Sequence, residues 1–354
     1  MTTWGESHGK AIGVVIDGCP SGISIDETLI NEELAWRAPG KNPYTSPRNE
    51  DDSAEIYSGV FDGKTTGAPI SIIIRNKDAD PSKYTSLKNI YRPGHANYSY
   101  LQKYGVFDYR GGGRASARET ACRVAAGAIA KAILKRLNIS VIAYLKQIAE
   151  VNAAIDPALV STENVRNSSI FCPDGEATKE MVQLIEKTKH EGDSLGGTVE
   201  VVVNNLPAGL GDPIYNKLEA SLACAMMSIP ASKGFEIGTG FQSAEMLGSE
   251  HNDAFAIDNE KVHTETNNAG GVIGGITTGM PLIARVAFKP PSSIKLPQNT
   301  VSLSGEETQF ALPEGSRHDP CVAIRAVPVV EAMASLVIVD AFLSNQSATI
   351  DRLI

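Results

Sequence analysis

Two histidines in this chain sit in glycine turns, where an imidazole is held in place without being packed away. His8 lies in GESHG (5–9) with Ser7 beside it, and His95 lies in RPGHA (92–96), three residues after Arg92. Imidazole changes charge near neutral pH, which suits general acid–base work. A third stretch, DYRGGGRASARET (108–120), sets Gly111, Gly112 and Gly113 between Arg110 and Arg114, with Arg118 close behind. The glycines let backbone approach a ligand, and the guanidinium forks match phosphate or carboxylate. The unpaired N–H groups of a following helix would add partial positive charge, so the loop reads as an anion cradle. No G-K-[ST] follows it and it is not G-x-G-x-x-G, which separates it from the nucleotide-binding loops. Lys289 precedes two stiffening prolines and two hydroxyls, Ser292 and Ser293, a second candidate phosphate holder. Arg317, His318 and Asp319 crowd together before Pro320, as an ion pair or as part of the same site.

Elements that could position these groups are readable around them. Ser116 and Glu119 have capping-box spacing, so a helix is expected over 116–137 with Asn138 as its stop. Other helical runs are 27–37, 176–190, 215–228 and 328–344, and strand-like runs are 11–17, 54–61, 70–75, 139–145, 198–203 and 282–288. Strands and helices do not alternate strictly, and short Gly/Thr turns join neighbouring strands, so the class is α+β with antiparallel pairing. GVFDGKTTGAP (59–69) matches GVIGGITTGMP (271–281) at seven of eleven positions, and each runs into a strand. This echo predicts a single domain of two similar halves about a pseudo-twofold axis, approximately 1–150 and 195–354 with a connecting segment.

The 354 residues are 42% apolar and 21% charged, a globular composition. Net charge is −9, which argues against a general nucleic-acid binder. Yet six basic and two acidic residues fall between Arg92 and Arg123, a focused site for a small anion. The five cysteines form no C-x-x-C pair, no signal peptide opens the chain, and no apolar run looks long enough to span a bilayer. A cytoplasmic protein with neither nucleic-acid nor membrane partner is expected.

In order along the chain, GESHG with DGxPxG (5–22), RPGHA, YRGGGRASARET (109–120), AGGxxGGIxxG (269–279), KPxSSI (289–294) and RHDPCxxIRAVPxxEAM (317–333) resemble the chorismate synthase family. The resemblance covers nearly the whole chain. It implies a β-α-β sandwich, a homotetramer, and the last shikimate step: 5-enolpyruvylshikimate 3-phosphate to chorismate and phosphate by anti-1,4-elimination. It also implies reduced FMN as cofactor, kept reduced by NADPH or another outside reductant. By that resemblance His8 would protonate or hydrogen-bond the departing phosphate, His95 would stabilise the reduced flavin, and Asp319 would assist proton movement near it. Ser7 and Ser116 would relay protons, and Arg37, Arg92 and Arg114 would neutralise anionic groups. FMN would be held by Arg114, Ala115, Ser116, Gly274, Lys289, Pro290, Pro291, Ser292, Ser293 and Arg317. A rival reading, a flavin reductase, would need a nicotinamide site, and no dinucleotide fingerprint is present.

Three positions depart from the family pattern. Pro43 stands where many members carry a second arginine, with Lys41 or Arg48 as substitutes. Pro230-Ala231 replaces Asn-Ala. Members also open with a strand ahead of TT-x-GESHG; without it an edge close to His8 would be bare.

Overall fold

The computed structural model of the chain describes residues 1–40, 43–45, 51–77, 84, 87–258, 260–312 and 318–352. The first half runs β1 (Thr2–Gly5), β2 (Ala11–Ile16), α1 (Glu27–Arg37), β3 (Ala54–Ser58), a hairpin of β4 (Val60–Phe61) and β5 (Lys64–Thr65), β6 (Ile70–Arg75), α2 (Asn97–Tyr104) and α3 (Thr120–Arg136). Its sheet has the order β1-β2-β6-β3, antiparallel throughout. Alternation by two puts Ile12, Val14 and Ile16 opposite Ile74, Ile72 and Ile70 on one buried face. β1 pairs Thr2 to Gly5 with Val15 to Ile12 and is the edge strand of the sheet on the side of His8.

The remainder runs β7 (Ser140–Ile148), β8 (Val151–Asn152), α4 (Thr162–Arg166), α5 (Gly175–Glu191), β9 (Gly197–Asn204), α6 (Leu218–Met227), β10 (Ser232–Ile237) and α7 (Gly248–His251). The hairpins β11 (Phe255–Asp258) with β12 (Lys261–Thr264) and β13 (Val272–Ile273) with β14 (Ile276–Thr277) follow. Then come β15 (Leu282–Phe288), the pair β16 (Gln298–Val301) and β17 (Glu307–Phe310), and α8 (Ala323–Ser344). The second sheet is ordered β10-β15-β9-β7-β8, with Leu282, Ala284 and Val286 opposite Val203, Val201 and Val199. α1 and α3 pack on the first sheet, α6 and α8 on the second, and α3 packs on α8. Gly127 permits that last crossing: an added Cβ would lie 2.3 Å from the Ala332 Cβ. The fold is thus an α+β sandwich, sheet–helices–sheet.

We propose that the two sheets are copies of one duplicated unit, on two parallels between them. Strand order β1-β2-β6-β3 repeats as β7-β9-β15-β10. Thr65 donates to the Pro20 carbonyl at 2.6 Å and accepts from Ile23 N–H at 2.9 Å; Thr277 does the same with Pro207 at 2.7 Å and Leu210 at 2.8 Å. We propose that the seam falls between α3 and β7, not near residue 150, because Ser140–Ile148 is a strand of the second sheet.

Several local expectations are corrected. Glu119 does not close a capping box: its carboxylate accepts from Thr3 and Arg123, so Ser116 caps only a single 3₁₀ turn over Ala117–Glu119, and α3 starts at Thr120. The strand expected over 54–61 breaks at Gly59, whose φ is +81°. α8 begins five residues ahead of Pro328, with the proline inside it. That same helix is long and apolar enough to cross a membrane, contrary to the sequence reading. Its apolar surface is taken up by α3, α6 and the second sheet, as expected of a core helix.

Candidate active site

A cavity of about 420 Å³ opens where the two halves meet. Of the residues singled out from sequence, His8, Arg37, Arg92, His95, Ala115, Ser116, Lys289, Pro290, Pro291, Ser292, Ser293 and Asp319 line it. Ser7 lies one layer behind, 2% exposed. Arg114 is turned away; its guanidinium donates to the Thr3 carbonyl at 2.8 Å and pins β1 to the glycine loop. Gly274 is exposed in the β13–β14 turn, outside the cavity lining. Arg317, Lys41 and Arg48 lie outside the described residues, and Pro43 is not among the lining. Pro230 and Ala231 do line the cavity, and the Ala231 carbonyl accepts from Lys289 N–H at 3.0 Å.

Glycine makes two of the closest approaches possible. At Gly111, with φ +64°, an added Cβ would stand 2.1 Å from His8 Cε1. At Gly94, with φ +68°, it would stand 2.3 Å from Ser292 Oγ. The His8 ring also meets Tyr84 edge-on, with centroids 5.1 Å apart. Ser7 Oγ lies 3.1 Å from His8 Nδ1 and donates to the Gly111 carbonyl at 3.3 Å. Since that donation uses the hydroxyl proton, Ser7 accepts from Nδ1–H, which leaves Nε2 as the ring's other functional atom.

His95 is differently employed. Its Nδ1 donates to the Pro93 carbonyl at 3.0 Å, and Nε2 accepts from Arg92 Nη2 and Ser293 Oγ, each at 2.9 Å. Burial, then the Arg92 charge, pushes His95 down to about 4, so it is neutral at pH 7. His318 is likewise pushed down to about 4 by burial and then by Arg92. Arg92 brings positive charge to this wall; it is 7% exposed, and its Nε has no partner among the described residues. Lys289 Nζ donates to the Gly94 carbonyl at 2.8 Å and to Ser292 Oγ at 3.0 Å, tying the RPGHA turn to the KPPSS loop.

Opposite, Arg37 ends α1 and donates to Asp52 at 3.0 Å, to Thr120 Oγ1 at 3.1 Å and to the Ala117 carbonyl at 2.8 Å. Burial, then Arg325, pushes it down to about 10, still protonated at neutral pH. Arg118 pairs with the other oxygen of Asp52 and donates to Asn76 at 2.9 Å. Asp319 is paired with Arg325 at 3.0 Å, and Arg325 also donates to the Arg37 carbonyl at 3.2 Å. Asp52 and Arg325 were not singled out as site residues. Asp52 has no local signal, since its partners lie 15 and 66 residues away. Arg325 sits within the motif running from Arg317 to Met333, but only the fold brings it to Asp319. Chemically, the cavity offers five fixed cations to an anion, and an imidazole that can pass a proton.

A family model described as chorismate synthase matches residues 1–343. Chorismate synthase of Protochlamydia amoebophila is 60% identical over 354 residues, covering 98% of this chain and 96% of the relative. That of Trichormus variabilis is 52% identical, covering 98% and 95%. A crystal structure of chorismate synthase superposes with a TM-score of 0.77 at 34% identity, covering 97% of this chain and 91% of that one.

Proposed function

Since the chain belongs to the chorismate synthase family, enzymes of the last shikimate step, we propose that its cavity takes 5-enolpyruvylshikimate 3-phosphate and releases chorismate and phosphate by anti-1,4-elimination. The observation that carries this reading is the convergence of Arg37, Arg92, Arg118, Lys289 and Arg325 on one cavity with His8 in its wall. A phosphate and two carboxylates are the kind of ligand that such a set neutralises. His8, held through Nδ1–H by Ser7, would in its imidazolium form present Nε2–H to the leaving phosphate, donate that proton there and be left neutral. His95, neutral and saturated, would fix Arg92 and Ser293 rather than lend charge of its own. Ser116 accepts from Arg118 N–H as a cap, so its hydroxyl proton stays available for donation. Asp319, held by Arg325, would be the base of the opposite wall.

The residues present fit a flavin mononucleotide beside the substrate. The orphaned Arg92 Nε and the Lys289–Ser293 loop suit its anionic groups, and Gly94 and Gly111 leave room for close approach. Ala115, Ser116 and Lys289 to Ser293 would hold it; Arg114 would act only by bracing the loop, and Gly274 has no part within this cavity. When bound in its reduced form, FMN would supply electron density for loss of the allylic phosphate and share in removal of hydrogen from C6. NADPH or another outside reductant would keep it reduced. A homotetramer in the cytoplasm completes the proposal. Exposed Tyr215, Phe241, Phe255, Ile257 and Val262 in the second half offer apolar surface for such an assembly.

Anaerobic phosphate release from 5-enolpyruvylshikimate 3-phosphate, with and without dithionite-reduced FMN, tests this. Release only with the reduced flavin is expected. Release that ignores the flavin would overturn its role.

A further inference from the structure

Asp52 touches no open surface, yet it governs two of the cavity's cations. Its side chain is 1% exposed, and so are the flanking guanidiniums nearly: 3% each for Arg37 and Arg118. Its two oxygens are divided, Oδ2 to Arg37 and Oδ1 to Arg118. Each arginine also reaches a different element: Arg37 donates to Thr120 and the Ala117 carbonyl, and Arg118 donates to Asn76 among its other partners. One carboxylate therefore holds together the end of α1, the turn before α3, and the end of the first sheet. Both arginines are among the residues that line the cavity. Three of the five N–H groups of Arg37 are used within this network, which leaves two for a ligand.

Asp52 faces Arg37 and Arg118 directly, and Arg325 and Arg118 both repel Arg37. Without the bridge, two buried like charges would also lie next to each other, and each would be free to swing toward solvent. We propose that Asp52 is a positioning residue, which sets Arg37 and Arg118 as a preformed pair of forks aimed at one anionic group of the substrate. The proposal rests on the reading of the cavity as the site of 5-enolpyruvylshikimate 3-phosphate.

The substitution Asp52→Asn separates position from charge. It keeps the side chain's size and makes the cavity wall one unit more positive. If Asp52 served only to balance charge, an anion would bind D52N more tightly. Positioning predicts the opposite: KM rises by ~10- to 100-fold, the scale seen when a group that orients a ligand-holding side chain is removed, and kcat falls less. Asp52→Glu, which keeps the carboxylate, should recover part of the loss. Inorganic phosphate, titrated by its effect on Tm, should weaken in the same order without any turnover. That order in proteins unable to release phosphate from the substrate would overturn the assigned reaction and leave the role of Asp52 standing. A KM in D52N at or below the wild-type value overturns the proposal. Should D52N fail to fold, Arg118→Lys reads the same bridge, because lysine keeps the charge but lacks the planar fork. A KM raised ~10-fold is expected there, on the same scale, and an unchanged KM overturns the proposal equally.

Discussion

Gly111→Ala moves His8 without removing it. The added Cβ would lie 2.1 Å from His8 Cε1 and 2.2 Å from Nδ1, and ordinary contact begins at 3.4 Å, so the ring must retreat by about 1.3 Å. It cannot do so and keep both its 3.1 Å bond to Ser7 and its edge contact with Tyr84. A misplacement of about 1 Å costs on the order of 100-fold in rate when a reacting group must be aligned. Alanine at φ +64° also strains the backbone by ~1–2 kcal/mol. The control is Gly105→Ala, at φ +72° with nothing within 4 Å of the new Cβ, which incurs the strain alone. Turnover and Tm measured together on both variants separate the effects. We expect similar small losses of Tm in the two, and a ~100-fold slower turnover only in G111A. Wild-type turnover in G111A would refute the placement of His8 at the reacting group.

Asp319→Asn should leave Tm nearly unchanged, since its partner Arg325 is only partly buried, while turnover falls by ~100-fold or more; a destabilised variant whose folded fraction reacts normally would make Asp319 structural. Stability should fall as pH drops from ~6.5 toward 4, because His95 and His318 both titrate near 4 when folded and near 6.5 when unfolded, so the unfolded chain binds more protons in that window. Each imidazole contributes up to ~1.4 kcal/mol per pH unit; urea midpoints that stay level between pH 7 and pH 5 would contradict this, whereas the H95A variant should show a shallower fall. Thr65→Val and Thr277→Val each remove a buried donor and acceptor at the same place in the two halves, and each should cost ~1–3 kcal/mol. A large loss in one and none in the other would break the equivalence of the halves.

How much was legible can be judged from particular residues. The Thr-Thr-Gly echo was readable because both turns use the same buried threonine hydroxyl and the same left-handed glycines. The strand over 139–145 was readable, but its partner β9 lies about 60 residues on, so the sequence alone did not show to which sheet it belongs. Ser116 and Glu119 had the spacing of a capping box, but Thr3 and Arg123 compete for the carboxylate, and only tertiary structure reveals competitors. His95 reads in sequence as an imidazole held in a glycine turn, and only the fold shows the burial and the neighbouring Arg92 that push it down to about 4. Arg114 was grouped with its neighbours in the cradle by proximity in sequence, yet one turn of backbone sends it to β1. Asp52 sits in a stretch with no motif, and its part emerges only when segments far apart in the chain meet.

The central claim is an elimination with no net redox change. It is tested most directly by counting products: under anaerobic conditions, the protein is given 5-enolpyruvylshikimate 3-phosphate, reduced FMN and a measured pool of NADPH. The account predicts one chorismate for each phosphate released, many turnovers per flavin, and no reductant consumed in proportion to product. One NADPH oxidised per product formed would contradict it and make the protein a flavin-dependent reductase.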